Sequence, residues 1–239
     1  MEKFKRSALL IGQDNLKKLE NSHVAVFGVG GVGGFVVEAL VRSGVGNITI
    51  IDNDVVSLSN INRQIIATEQ TVGEKKTQVM AQRLLSINSS AKVNAIDMFY
   101  LPESADNIDL SQFDYVVDAI DTVTAKVELI ERATKQNIPI ISCMGTGGKT
   151  DPTKLKVTDI YKTSGCPLAR VMRTNLKKRG IEKLKVVYSE EQNVIVEQEL
   201  EKAEKKANDR VATPSMIFVP STAGIIIARE VVFDLIKQD

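Results

Sequence analysis

The run His23-Val-Ala-Val-Phe27 ends in Gly28-Val-Gly30-Gly31-Val-Gly33-Gly34, and residues 35–42 follow with helical composition. Strand, glycine turn and helix in this order constrain the fold more than any other feature, because a short apolar strand feeding a helix through glycines opens a βαβ unit. Such a turn aims backbone N–H groups and the positive end of a helix at a point where a phosphate can sit. Asp52, at the tip of the next strand Ile48-Thr-Ile-Ile51, stands at the spacing from which a carboxylate holds a ribose hydroxyl. Taken alone, the turn suits a nicotinamide or flavin dinucleotide, ATP, or a tight turn that binds nothing.

The alternation continues along the chain. Residues 75–87 read as a helix, 92–98 as a strand, Tyr115-Val-Val117 as a strand ending at Asp118, 122–136 as a helix, Ile138-Pro-Ile-Ile141 as a strand and 155–161 as another. This predicts an α/β fold: a Rossmann-like, mostly parallel sheet flanked by helices. At 239 residues a single α/β domain with one core is the simplest arrangement. Its expected parts are an N-terminal helical arm over 1–22 and a nucleotide-binding core over 23–161. A basic and mixed-charge excursion from the sheet over 162–213 comes next, followed by a C-terminal strand and helix over 214–239, the strand at 216–219. The longest apolar run near the C-terminus, residues 223–228, is far short of the roughly 20 residues that span a bilayer. The N-terminus carries no uninterrupted apolar stretch of the signal-peptide kind. A cytoplasmic protein with no membrane partner is expected.

The segment Asp52-Asn-Asp54-Val-Val-Ser-Leu-Ser-Asn60-Ile-Asn-Arg63-Gln64, with Lys76 soon after Val72-Gly73, narrows the choice of ligand. A dinucleotide has only a pyrophosphate bridge to neutralise, and the glycine turn meets much of that need. Two cations and nearby amides suit a triphosphate, whose leaving pyrophosphate accumulates charge. As a set, G-x-G-G-x-G, I-D-N-D, S-L-S-N-I-N-R-Q, V-G-x-x-K and the strand end from Asp118 to Asp121 resemble the adenylating domain of the ubiquitin-activating-enzyme superfamily. The resemblance implies an enzyme that uses ATP and magnesium to activate a carboxylate. Gly28, Gly30, Gly31 and Gly33 would form the phosphate turn and Asp52 would bind the ribose. Asn60, Arg63 and Lys76, with the Gln64 amide beside them, would meet the phosphates. Asp54 would shape the pocket and Asp121 would hold the magnesium ion. Arg6-Ser-Ala-Leu-Leu10-Ile-Gly12 is similar to an arm that sends an arginine into a partner protomer's triphosphate site, so a homodimer with a catalytic Arg6, alongside Arg63, Lys76 and Asp121, is implied.

Cysteine usage separates the branches of that superfamily. Its sulfur-carrier enzymes hold a structural zinc on two C-x-x-C pairs, whereas this chain has two cysteines, Cys143 and Cys166, and one histidine, so no Cys-only zinc site fits within one protomer. The pattern Met144-Gly-Thr-Gly-Gly-Lys149-Thr-Asp-Pro-Thr153, with Val157-Thr-Asp-Ile160 and Lys162-Thr, is similar to the tRNA threonylcarbamoyladenosine dehydratase branch. Members of that branch adenylate the threonine carboxylate of a modified adenosine beside the anticodon. Ring closure then releases AMP. A sulfur-carrier adenylating enzyme is the alternative, and a nicotinamide oxidoreductase the remote one. Some members of the branch carry a cysteine in a glycine-rich segment near the C-terminus. Here Thr213-Pro-Ser-Met-Ile-Phe-Val-Pro-Ser-Thr-Ala-Gly224 has none, leaving Cys166, in Ser164-Gly-Cys-Pro-Leu, as the thiol to weigh for a covalent role. Cys143, after an apolar strand, reads as inert core.

Net charge is only +1, yet residues 154–185 hold ten Lys or Arg against two acids. Such a segment fits tRNA as partner, since phosphate neutralisation supplies most non-specific affinity, although a solvated basic face reads the same way. A sulfur-transfer protein is a further possible partner.

Overall fold

A computed structural model describes residues 2–193 and 213–237. Helices α1 (Lys5–Ile11) and α2 (Gln13–Asn21) form the arm, broken at Gly12; α1 buries no side chain, whereas α2 anchors through Leu16 and Leu19. The elements β1 (His23–Phe27), α3 (Gly33–Ser43), β2 (Asn47–Asp52), α4 (Lys76–Ile87), β3 (Lys92–Asp97), β4 (Tyr115–Asp118), α5 (Val123–Lys135) and β5 (Ile140–Cys143) then alternate. They are followed by β6 (Leu155–Asp159), α6 (Pro167–Lys178), β7 (Lys185–Ser189) and α7 (Phe218–Lys237).

One seven-stranded sheet runs in the order β3-β2-β1-β4-β5-β7-β6. Every pairing is parallel except β6 with β7, which is antiparallel with Leu155 opposite Ser189 and Asp159 opposite Lys185. Helices cover both faces, which explains why β1 and β2 read as continuous apolar runs. Val24, Val26, Ile48 and Ile50 point to a core shared with Leu40 of α3, Met80 of α4 and Ile227 and Val231 of α7. On the other face, Ala25, Phe27 and Val116 meet Leu129 and Ala133 of α5. Met172 and Leu176 of α6 pack with Ile130 and Val186 beside them. Among the described residues no helix is long and apolar enough to cross a membrane.

The chain order reverses between β1 and β4, and a crevice opens there at the carboxyl ends of the strands, where doubly wound sheets place their ligands. A fully buried ion pair floors it. Lys126 Nζ lies 2.8 Å from Asp118 Oδ2, with both side chains inaccessible to solvent. Ser142 donates to the same carboxylate at 2.5 Å, and the ammonium also donates to the carbonyls of Cys143 at 2.8 Å and Ile120 at 3.1 Å.

Two expectations are corrected. The basic stretch is not an excursion through its whole length: α6 lies over the sheet, and β7 inserts between β5 and β6. Residues 194–212 of the expected excursion lie outside the described residues. No C-terminal strand occurs at 216–219 among the described residues. Met216, Ile217 and Phe218 are exposed, and α7 starts at Phe218, with Pro220 in its first turn where a missing N–H costs nothing.

Because the Asp118 carboxylate has no route to water, the variant Lys126→Met leaves a buried charge unpaired. Urea unfolding of this variant should show a loss of about 3–5 kcal/mol relative to the parent chain. A loss below about 1 kcal/mol would mean that water reaches the pair.

Candidate active site

A cleft of about 740 Å³ opens over the switch point and gathers nearly all of the residues expected from the sequence. Gly28, Gly30, Gly31, Asp52, Asp54, Asn60, Arg63, Gln64, Lys76 and Asp121 all line it. Gly33 does not. It lies under the turn, where a Cβ would stand 1.8 Å from the Gly28 carbonyl oxygen, so its requirement is steric and internal to the turn. Gly28 itself adopts φ +90°, the left-handed region that disfavours a side chain. Arg6 is also absent from the cleft. It is exposed on α1, with no polar partner among the described residues.

The carboxylate of Asp52 is fixed by two backbone donors: Val29 N at 2.7 Å, from the glycine turn, and Asp54 N at 2.8 Å. Each oxygen retains acceptor capacity for a ribose hydroxyl. Asn60 closes a capping box with Ser57, its side-chain oxygen accepting from Ser57 N at 3.0 Å, which leaves its NH2 group for a ligand. Lys76, the first residue of α4, is buried and pairs with Asp54 at 2.6 Å. Arg63 donates to two neutral acceptors, the Ser59 carbonyl at 2.8 Å and the Asn62 side chain at 3.0 Å. Gln64 is buried, and its Oε1 has no hydrogen-bond partner among the described residues. Asp121 is exposed, its carboxylate touched only by the Thr122 hydroxyl at 3.4 Å.

These groups describe an anion site built from one end of the sheet. Arg63 is held by neutral partners that a polyphosphate can replace at small cost, whereas Lys76 is already paired with the Asp54 carboxylate. Residues 4–232 match the ThiF family.

The chain belongs to the ThiF family. It is 43% identical over 244 residues to the tRNA threonylcarbamoyladenosine dehydratase of Bacillus subtilis, covering 100% of this chain and 96% of that relative. The enzyme of the same description from Haemophilus influenzae is 42% identical over 177 residues, covering 74% of this chain and 68% of the relative. The crystal structure of the Escherichia coli tRNA N6-threonylcarbamoyladenosine dehydratase in complex with ATP superposes with a TM-score of 0.89 at 32% identity, covering 99% of this chain and 95% of that one.

In and beneath this cleft the structure adds two lysines to which the sequence reading gave no role. Lys126, in the first turn of α5 between Ala125 and Val127, lies beneath the cleft in the ion pair with Asp118, and nothing in the primary structure marks it out. Lys149 lines the cleft, yet reads simply as part of the Gly-rich segment after β5. That second glycine-containing strand end, Gly145 to Gly148, is the signal that points there. Cys143 and Cys166 line the cleft as well, and both are buried. Burial pushes the Cys143 thiol up to about 12 from 9.0, with the nearby Lys126 opposing the shift. Cys166 occupies the N-cap position of α6 without a side-chain capping bond.

The Cys143 shift carries a definite sign. Below pH 9 the thiol is protonated in both states and contributes nothing to pH dependence. Between about 9 and 12 the unfolded chain releases the proton while the folded one keeps it, so stability falls as pH rises. Urea titrations from pH 8.5 to 10.5 should give a steeper decline for the parent chain than for Cys143→Ala, by at most about 1.4 kcal/mol per pH unit. Equal slopes would remove the assignment.

Proposed function

We propose that this chain is an ATP-dependent dehydratase that adenylates the carboxylate of threonylcarbamoyladenosine, beside the anticodon of tRNA, and cyclises it. The observation that carries the reading is the full-length alignment with the Bacillus subtilis dehydratase, supported by a cleft lined by Asp52, Asn60, Arg63 and Lys76, the residues expected to meet a triphosphate. In the first step an oxygen of the substrate carboxylate bonds to the α-phosphorus of ATP, and the bond to the β-phosphate oxygen breaks. Asp52 orients the ribose, while Asn60, Arg63, Gln64 and Lys76 meet the charge that gathers on pyrophosphate. In the second step an atom of the same nucleoside attacks the activated acyl carbon. AMP leaves with the former carboxylate oxygen, so the substrate loses the elements of water overall.

Asp121 fits the magnesium ion that accompanies ATP, since it is an exposed carboxylate in the cleft with a single weak contact and Mg²⁺ needs only one or two carboxylates besides phosphate oxygens and water. Such an ion supplies charge neutralisation on the phosphates. The free cations of α6 and its flanks support tRNA as partner. Lys162, Arg170, Lys177, Lys178 and Lys183 have no acidic partner among the described residues. A groove of about 600 Å³ lined by Arg170, Arg173 and Asn175 adjoins the cleft, sharing Cys166 and Pro167 with it. Action on tRNA implies the cytoplasm. Incubation with ATP and tRNA carrying the acid nucleoside should yield AMP and a nucleoside lighter by one water in mass spectrometry. Arg63→Ala should slow this at least tenfold, about 1.4 kcal/mol in the barrier. Pyrophosphate exchange that appears only on adding a small carrier protein would replace the reading with the sulfur-carrier one.

A homodimer completes the proposal. Leu9 and Leu10 on α1 are each 82% exposed, an apolar arm that a second copy would cover, and Arg6 beside them has no partner among the described residues. Mixing inactive Arg6→Ala with inactive Lys76→Ala should restore part of the activity through hybrid dimers that hold one intact composite site. No recovery despite demonstrated subunit exchange would show that Arg6 does not act across the interface.

A further inference from the structure

The cleft contains a cation that the triphosphate does not account for. Lys149, in the loop between β5 and β6, lines the cleft yet is only 3% exposed. Its ammonium donates to the Glu191 main-chain carbonyl. No carboxylate lies within ion-pair range of it among the described residues. The Glu191 carboxylate is occupied elsewhere, accepting from Thr150 N and the Thr150 hydroxyl at 3.0 Å and from Asp151 N at 2.9 Å. A buried ammonium with one neutral acceptor and two unused donors is a costly arrangement unless an anion completes it.

The position of Lys149 says which anion. The phosphate-binding side chains Asn60, Arg63, Gln64 and Lys76 all come from the stretch that runs from the end of β2 to the first residue of α4, on one side of the switch point. In the sheet, β5 lies three strands from β2, about 14 Å at ordinary strand spacing. Lys149 therefore faces the cleft from the far wall, together with Gly145 and with Cys166 and Pro167, which are shared with the basic groove on α6. An acid entering from that groove must bring its negative carboxylate up to a negative α-phosphate. A cation on the entry side of the cleft offsets that repulsion.

Resting on the dehydratase reading, we propose that Lys149 binds the carboxylate of the incoming substrate and presents it to the α-phosphate. The loop is braced for this independently of the ammonium, through the Glu191 carboxylate and through Gly148 N, which donates to the Pro214 carbonyl at 2.7 Å. Truncating the side chain therefore tests binding more than folding.

The test compares the acid nucleoside with its methyl ester as ligands of the protein saturated with a non-hydrolysable ATP analogue. The parent chain should prefer the acid at least tenfold. In Lys149→Met the preference should fall to within twofold while the affinity for the ATP analogue changes by less than twofold, and Lys149→Arg should keep part of the preference. A Lys149→Met protein that still prefers the acid tenfold would overturn the assignment. So would ATP-analogue affinity that falls in step with the nucleoside's, since Lys149 would then be supporting the whole cleft. A parent chain that binds neither nucleoside and leaves acid-bearing tRNA unchanged would remove the dehydratase reading and this inference with it. A parent chain that turns over the tRNA but binds acid and ester alike would remove only the inference.

Discussion

The buried pair of Asp118 and Lys126 is the interaction on which the cleft depends. It joins the ends of β4 and β5 to the first turns of α5 at the place where the sheet reverses its order. Taking two charges out of water is rarely a net gain in stability. Here the loss is contained because the carboxylate accepts from Ser142 as well as from Lys126, and the ammonium finds two carbonyls besides the carboxylate. Those contacts fix the course of the main chain at Ile120 and Cys143. Asp121 and the Met144–Gly147 segment leave from those two points, so the walls of the cleft inherit their positions from a pair that lies beneath them.

The same coupling explains what was legible in the sequence. Elements made of local contacts or central apolar strands could be read directly: β1, the glycine turn, α3 and β2 follow from composition and spacing, and Asp52, Asn60, Arg63 and Lys76 then fall on one side of the turn. β7 could not be read in the same way. Lys185-Val-Val-Tyr-Ser189 is short and enters from a lysine-rich stretch, and its place between β5 and β6 depends on contacts with residues far away in the chain. The segment after Thr213 misleads for the opposite reason. Its run of apolar residues has the composition of a strand, yet of residues 216–219 only Val219 is buried, and packing of α7 against α3 decides the outcome.

Charge counting shows a similar limit. The excess of cations over residues 154–185 looks like a continuous basic face until the fold supplies partners from outside the segment. Arg179 pairs with Glu131 on α5, Lys156 with Glu190, and Lys185 with Asp234 and Glu230 on α7. Arg173 turns inward to the Thr163 carbonyl and hydroxyl. What remains is a smaller set on and beside α6, next to the mouth of the cleft. A tertiary fold thus converts a diffuse charge excess into a local field, and local fields are what guide an anionic partner to one orifice.

The cations within the cleft are held differently from those outside it. Several surface arginines and lysines, among them Lys156, Arg179 and Lys185, pair with carboxylates, whereas Arg63 rests on a carbonyl and an amide and Lys149 on a carbonyl. Lys76 has a carboxylate, but Asp54 is largely exposed, so water screens that pair. An anion entering the cleft therefore displaces weak partners, and the positions of the donors are already set by helix starts, a capping box and the buried floor. Preorganisation of that kind is what lets electrostatic groups act on a developing charge without first rearranging. The arrangement favours ligands with negative charge at two separated points, one over the glycine turn and one toward β5, as a nucleotide and a carboxylic acid lying side by side would place it.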